Sequence, residues 1–182
     1  EYVKCAKNPV YFFKKYCYIQ HPKRGKILFD LYPFQEDVMG EFDEHRFNVI
    51  LKSRQLGIST LSAGYALWMM LFYEDKNILV IATKQEVAKN LVTKVRFMHE
   101  SLPSWLRGDT EEDNKLSLRL KNGSQIKATS ASGDAGRSEA LSMLIIDEAA
   151  FIKGIDEIWA AAQSTLSTGG KAIVLSTPNG VG

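Results

Sequence analysis

Short, near-continuous apolar runs recur along this chain, and stretches with helical periodicity separate them. The runs are Phe47–Leu51, Ile78–Ala82, Met143–Ile146 and Ala172–Leu175. Strands that are apolar along their whole length are buried on both faces, as in parallel sheets that helices cover from both sides. The pattern therefore predicts an α/β fold, with a mostly parallel sheet and helices on both faces.

The segments between these runs supply the predicted helices. Phe34–Phe42 repeats apolar residues at helical spacing after Pro33, a residue that suits the first turn of a helix. Ser59–Phe72 is largely apolar, and Val87–Met98 places its apolar residues on one face. We expect a further helix around Asp156–Leu166.

One pair of strands is predicted to run antiparallel. The alternating segments Leu116–Leu120 and Gln125–Ala128 flank the dipeptide Asn122-Gly123. Asn-Gly is a strong signal for a two-residue hairpin turn. We therefore expect a polar β-hairpin insertion within the α/β fold.

Size and composition exclude several other classes of protein. The 182 residues suffice for one domain, and the 45% hydrophobic and 24% charged content is that of a globular protein rather than a disordered one. The net charge of +2 does not by itself indicate a polyanionic partner. The longest apolar run, Leu61–Tyr73, falls short of the roughly 20 residues of a membrane span, so we expect no membrane association. Cys5 and Cys17 lack metal-site spacing and are interpreted as reduced thiols.

The first 30 residues are richer in aromatic and basic side chains than the rest. They include Tyr11–Tyr16 and then His21–Lys26. Alternating rings and lysines can bind a nucleic acid, but they more often pack a helix on a core while the charges stay in water. We interpret residues 1–30 as an N-terminal helical segment packed on the core, and residues 31–180 as the main domain.

The segment after the first apolar run, KSRQLGIST, has features of a phosphate-binding loop. Such a loop needs a glycine that lets backbone N–H groups approach phosphate, a cation, and a hydroxyl for a metal at a helix N-terminus. Aligned on Gly57, Ser59 takes the metal position and Ile58 stands where lysine is usual. Lys52 and Arg54 are the nearby cations, and the sequence does not decide between them. The alternative is an ordinary basic loop.

Two acidic residues, Asp147 and Glu148, directly follow the apolar run Met143–Ile146. In enzymes of phosphoryl transfer, one carboxylate of such a pair binds Mg²⁺ and the other orients the attacking water. Acids are also favoured at helix N-termini, which is the alternative for Glu148. The position after an apolar strand, downstream of a phosphate-type loop, favours the catalytic interpretation.

Four further residues fit the same site. Gln35 can bond to an adenine edge, and Ser176 with Thr177, at the end of the last strand, can sense a γ-phosphate. Arg137, in a loop rich in glycine and serine, can stabilise transition-state charge as an arginine finger. The alternatives are an ordinary helix residue, a turn before Pro178 and a solvent-exposed arginine.

The strings YPFQ, KSRQLGIST, LIIDEAAF and LSTPNG together resemble the ATPase domain of the large terminase subunit of tailed bacteriophages, over residues 31–180. The resemblance implies an additional-strand P-loop ATPase. It also implies roles at one site: Glu148, Arg137, Lys52 and Arg54 in catalysis, Ser59 and Asp147 at the metal, and Gln35, Ser53, Gln55, Gly57, Ile58, Ser59, Thr60, Ser176 and Thr177 at the nucleotide.

The same resemblance implies a function. It is the hydrolysis of ATP, with Mg²⁺, to drive double-stranded viral DNA into a procapsid. The expected partners are that DNA, the portal protein, the small terminase subunit and other copies of the chain in a ring on the portal. Arg137 then acts as a finger either in its own copy or, as the resemblance to some members implies, at the site of the next copy. The expected location is the bacterial host cytoplasm, with transient docking on the procapsid.

Two alternatives to a packaging motor stay open. One is a helicase-type DNA translocase, which shares a glutamine motif and an Asp-Glu-Ala triplet. The other, suggested by Ile58, is an adaptor that binds ATP without turnover. Family members normally continue into a ribonuclease-H-like nuclease, and we expect no cutting activity in this chain.

Overall fold

Strands and helices alternate along the chain in the computed structural model, which describes residues 1–131 and 140–180. The strands are β1 Tyr18–His21, β2 Gly25–Leu28, β3 Phe47–Leu51, β4 Asn77–Ala82, β5 Thr110–Asp113, β6 Ser117–Leu120, β7 Gln125–Ser130, β8 Met143–Asp147 and β9 Lys171–Ser176. The helices are α1 Tyr2–Lys7, α2 Pro9–Tyr16, α3 Pro33–Glu44, α4 Ile58–Phe72, α5 Gln85–Glu100, α6 Ser104–Arg107 and α7 Ile155–Thr165. A short 3₁₀-helix, Ala149–Phe151, follows β8.

Seven of these strands form one sheet in the order β3-β9-β8-β4-β7-β6-β5. The neighbours from β3 to β7 pair in parallel, whereas β6 pairs antiparallel with both β7 and β5. The prediction of a mostly parallel sheet is confirmed.

Side chains on the two faces of the sheet enter two different cores. In β4, Ile78 and Val80 pack with α4 and α5, while Leu79 and Ile81 pack with α7 and the 3₁₀-helix. Residues of β8 are buried on both faces, which explains why its sequence is an unbroken apolar run. The prediction of helices on both faces is therefore also confirmed.

The predicted hairpin is present as β6 and β7, but it is not polar as predicted. Gly123 has φ +85°, a left-handed conformation that glycine adopts readily. The N–H of Leu120 donates to the carbonyl of Ser124, so the loop has three residues rather than the two that Asn-Gly predicts. Leu118, Leu120 and Ile126 are buried because β7 pairs with β4 and lies under α5. The hairpin thus extends the main sheet, and its alternation reflects one covered face and one open face.

The N-terminal segment combines two short helices with a β1–β2 hairpin that the sequence did not predict. Phe12, Phe13 and Cys17 are buried in the same core as α4. Burial raises the pKa of the Cys17 thiol well above its usual range, so this buried thiol stays protonated. Of the helices in the described residues, none combines the length and hydropathy that a bilayer span requires.

The close contact between α2 and α4 depends on Gly64. A Cβ atom at Gly64 would lie 2.1 Å from Cζ of Phe13. We expect Gly64→Ala to lower the free energy of unfolding by about 1–3 kcal/mol, since overpacking outweighs the gain in helix propensity. Urea denaturation measures the change. Gly40→Ala in α3, where an added Cβ meets nothing within 4 Å, is the control and should be neutral or slightly stabilising. A Gly64→Ala variant as stable as the parent would contradict this packing.

Candidate active site

The loop and the acids predicted from the sequence lie at one edge of the sheet. β3, β9 and β8 are parallel neighbours, and Leu51 at the end of β3 is in register with Ser176 at the end of β9. The backbone N–H of Lys52 continues this ladder by donating to the carbonyl of Ser176 at 2.9 Å. In open α/β sheets, ligands bind at the carboxyl ends of the strands, and this edge is such a place.

Gly57 ends the loop and is the N-cap of α4. Its φ is +74°, and a Cβ at this position would lie 2.8 Å from Nε2 of Gln35. Glycine is therefore required both for the backbone conformation and for the close approach. Ser59 and Thr60 lie in the first turn of α4, whose free N–H groups and dipole suit a phosphate. Ile58 is buried in the core and supplies no charge there.

Gln35 holds the loop against α3. Its Oε1 accepts from the N–H of Tyr32 at 3.0 Å, and its Nε2 donates to the carbonyl of Leu56 at 2.9 Å. The side chain is only 2% exposed. The rings of Tyr32 and Phe34 are exposed and stacked beside it. The adenine contact of Gln35 stays a prediction, whereas its bond to the loop is an observed contact.

Lys52 is the loop cation that reaches the acids. Its Nζ lies 3.2 Å from Oε1 of Glu148 and 3.9 Å from Oδ1 of Asp147, and its side chain is 9% exposed. Arg54 is exposed, and within the described residues it makes no hydrogen bond or ion pair. The structure thus distinguishes two cations that the sequence left equivalent.

Glu148 is held in a defined orientation. Its backbone is left-handed, with φ 53°, and its Oε2 accepts from the N–H and the hydroxyl of Thr177 at 3.1 and 2.8 Å. Burial raises the pKa of Glu148, but the bonds from Thr177 and Lys52 outweigh it, and the net pKa is lowered. Glu148 is therefore a fixed carboxylate at neutral pH, suited to orienting a water molecule.

Asp147 lies beside this carboxylate, with its own side chain 12% exposed. Its Oδ1 accepts from the N–H of Glu148 at 3.0 Å. Within residues 1–131 and 140–180, no group of three or more His, Cys, Asp or Glu side chains forms a metal cage. Mg²⁺ needs no such cage when phosphate oxygens and water complete its coordination. A buried carboxylate and a serine hydroxyl at one sheet edge are donors of the type that a Mg²⁺–nucleotide complex uses.

Hydrogen bonds connect the segment at the end of β9 to the segment that follows β8. The hydroxyl of Ser176 accepts from the N–H of Ala150 at 3.1 Å and donates to the carbonyl of Thr177 at 2.9 Å. Nδ2 of Asn179 donates to the carbonyl of Ala150 at 2.9 Å. Together with the bonds from Thr177 to Glu148, these contacts join both segments at the acid pair.

Sequence reasoning missed two residues of this region. Asn179 belongs to the string LSTPNG, which was its only signal. Lys94 on α5 donates from Nζ to the hydroxyl of Thr60 at 3.1 Å, and no local pattern marks it. Ser53 and Gln55 lie exposed on the loop. Arg137 lies outside the described residues, so its role stays a prediction.

The chain is similar to known proteins over most of its length. Residues 49–181 match the family described as terminase large subunit, T4likevirus-type, N-terminal. The large terminase of bacteriophage HK97 matches with a TM-score of 0.73 and 20% identity, over 94% of this chain and 37% of that one. The large terminase of a thermophilic bacteriophage, in complex with ADP, gives a TM-score of 0.60 and 16% identity, over 82% of this chain and 39% of that one.

A helicase has a similar fold as well. UvsW from bacteriophage T4 matches with a TM-score of 0.60 and 15% identity, over 92% of this chain and 58% of that one. At such low identity, each structural match shows the fold alone. The chain spans well under half of the two terminases, so their whole activities do not transfer to it directly.

Proposed function

The chain belongs to the T4likevirus-type family of terminase large subunits, and on that premise we propose that it is a motor domain that hydrolyses Mg²⁺-ATP to drive DNA packaging. The observation that carries the proposal is the contact of Lys52 with both acids. It joins the start of a phosphate-type loop to the water-orienting carboxylate at one edge of the sheet.

In the proposed reaction the triphosphate binds at the N-terminus of α4. Ser59 and Asp147 are the residues that would hold the metal. Mg²⁺, when bound, neutralises charge on the phosphate oxygens. Lys52 contacts the γ-phosphate, which competes with the carboxylates for its ammonium group. Glu148, fixed by Thr177, orients water for in-line attack.

We propose that ATP hydrolysis is coupled to DNA movement through the hydrogen-bonded segments that follow β8 and β9. Loss of the γ-phosphate changes the surroundings of Glu148, and Thr177, Ser176 and Asn179 connect that residue to the end of β9 and to the 3₁₀-helix. We further propose the portal, the small terminase subunit and a homo-oligomeric ring as partners, with Arg137 acting across subunits. The place of action is the bacterial host cytoplasm at the procapsid.

A helicase-type translocase is the second candidate, favoured by the match to UvsW over 92% of the chain. Phosphate release by the full-length protein, with Mg²⁺, DNA and portal each added or omitted, tests the motor. Strand separation on a forked duplex would favour the helicase instead. Nucleotide binding without any turnover would favour the adaptor and contradict the motor, although Lys52 supplies a charge that Ile58 does not.

The lowered pKa of Glu148 gives a pH prediction. Thr177→Val removes one of the bonds that stabilise the carboxylate, so the pKa of Glu148 should rise. Because Glu148 acts ionised, we expect the acid limb of the kcat/KM profile for ATP to move to higher pH. Thr165→Val removes a similar hydroxyl bond, to Ala162 in α7, and should leave the profile unchanged. An unshifted acid limb in Thr177→Val would contradict this role of the hydroxyl.

A further inference from the structure

A second lysine approaches the first turn of α4 from the neighbouring helix. Lys94 lies on α5, which packs against α4. Its Nζ donates to the hydroxyl of Thr60 at 3.1 Å, and Thr60 is the residue after Ser59. A cation from outside the loop thus reaches the helix N-terminus at which the phosphates are proposed to bind.

The charges around Lys94 are those of the site. Burial around its ammonium lowers the pKa of Lys94, Asp147 raises it, and Lys52 lowers it further. The net pKa of Lys94 is lowered, and both charged neighbours belong to the candidate site. Lys94 is therefore close enough to Asp147 and Lys52 to interact with both electrostatically.

Lys94 lacks the partner that a structural lysine on this helix has. Lys89, five residues earlier on the same helix, forms an ion pair with Glu86. Within the described residues, Lys94 forms no ion pair, and its hydrogen-bond partner is the neutral hydroxyl of Thr60. Both acids are contacted by Lys52, whereas the ammonium of Lys94 has no carboxylate partner within the described residues, so an anionic phosphate group can take that place.

Space for a ligand exists next to this contact. A cleft of about 310 Å³ lies between β1 and α5, and Thr60 and Lys94 form part of its wall. The rest of its wall comes from β1 and α5 and includes neither the loop nor the acids, so the cleft borders the phosphate site without being part of it and leaves Thr60 and Lys94 open on the α5 side. Ile58, in contrast, is buried and directs no charge to the same helix end.

We propose that Lys94 is a phosphate-binding residue of the nucleotide site. Its ammonium and the hydroxyl of Thr60 contact the phosphate chain of a nucleoside triphosphate from the α5 side. Together with Lys52, Lys94 supplies the positive charge that Ile58 does not. This inference rests on the proposed function, because it deepens the description of the same site.

The test is equilibrium binding of Mg²⁺-ATP and Mg²⁺-ADP to the full-length protein, with Lys94→Met, Lys94→Arg and the control Lys89→Met. We expect Lys94→Met to weaken binding of Mg²⁺-ATP by about tenfold, as loss of one charge-assisted phosphate contact would. Lys94→Arg should retain most of the affinity, and Lys89→Met all of it. In steady-state kinetics, KM for ATP should rise more than kcat falls.

Several outcomes would overturn this inference. One is parental affinity in Lys94→Met, and another is an equal loss in Lys89→Met. A third is a melting temperature without nucleotide that falls as much in Lys94→Arg as in Lys94→Met, which would indicate a structural role. Parental turnover with unchanged KM in Lys94→Met would remove Lys94 from the site but leave the motor intact. Failure of the parent to bind ATP would overturn both.

Discussion

Replacing Glu148 with glutamine is expected to reduce ATP hydrolysis by about 10²–10⁴-fold, the usual contribution of a positioned acid or base. The amide oxygen of glutamine can still accept the two bonds from Thr177, so the local fold should persist, while its NH₂ group replaces the oxygen that accepts from Lys52 and that bond is lost. What the variant lacks is a negative charge to hold and polarise the attacking water. Binding of ATP should stay close to that of the parent, since the phosphate contacts are assigned to the loop, Lys52 and Lys94 rather than to Glu148.

Phosphate release under saturating Mg²⁺-ATP measures the loss, and equilibrium binding of ATP checks that the site is still formed. Glu157→Gln makes the same chemical change in α7, on an exposed residue, and should hydrolyse ATP at the parent rate. Hydrolysis by Glu148→Gln at the parent rate would remove Glu148 from the water-orienting role. Loss of ATP binding together with turnover would instead assign the residue to nucleotide binding.

The central strands could be predicted because burial on both faces requires an unbroken run of apolar residues in the sequence. The run Ile78–Ala82 becomes β4, Asn77–Ala82, and Met143–Ile146 becomes β8, Met143–Asp147. β5 is exposed along its whole length and consists of Thr110–Asp113, so it has no apolar alternation to detect. The short β1–β2 hairpin is likewise half-exposed, and its pairing depends on contacts with α2 and α5 rather than on local pattern.

The site could be predicted where its residues are neighbours in sequence, and less well where they meet through the fold. The loop and the acid pair each form a short string, and their meeting at one sheet edge follows from parallel topology. The choice between Lys52 and Arg54 needed coordinates, because both lie in the same loop. Lys94 sits on an ordinary amphipathic helix, and only the packing of α5 on α4 brings it to Thr60.

Matched substitutions of Lys52 and Arg54 identify which of these two loop cations binds the phosphates. Lys52→Met should lower kcat/KM for ATP by about 10²–10³-fold, the effect of removing one preorganised group from a developing charge. Arg54→Met should lower it only several-fold, because Arg54 is exposed and contacts neither acid within the described residues. Lys52→Arg keeps the charge but changes its shape and reach, so an intermediate activity is expected.

The same substitution also tests the link between the loop and the acids. Lys52 is one of the groups that lower the pKa of Glu148, so Lys52→Met should raise that pKa and move the acid limb of residual hydrolysis to higher pH. Arg54→Met should leave the limb in place. Phosphate release across a pH series measures both effects. If Arg54→Met showed the larger loss and Lys52→Met kept the parent profile, the contact between Lys52 and the acids would be structural, and Arg54 would be the phosphate-binding cation.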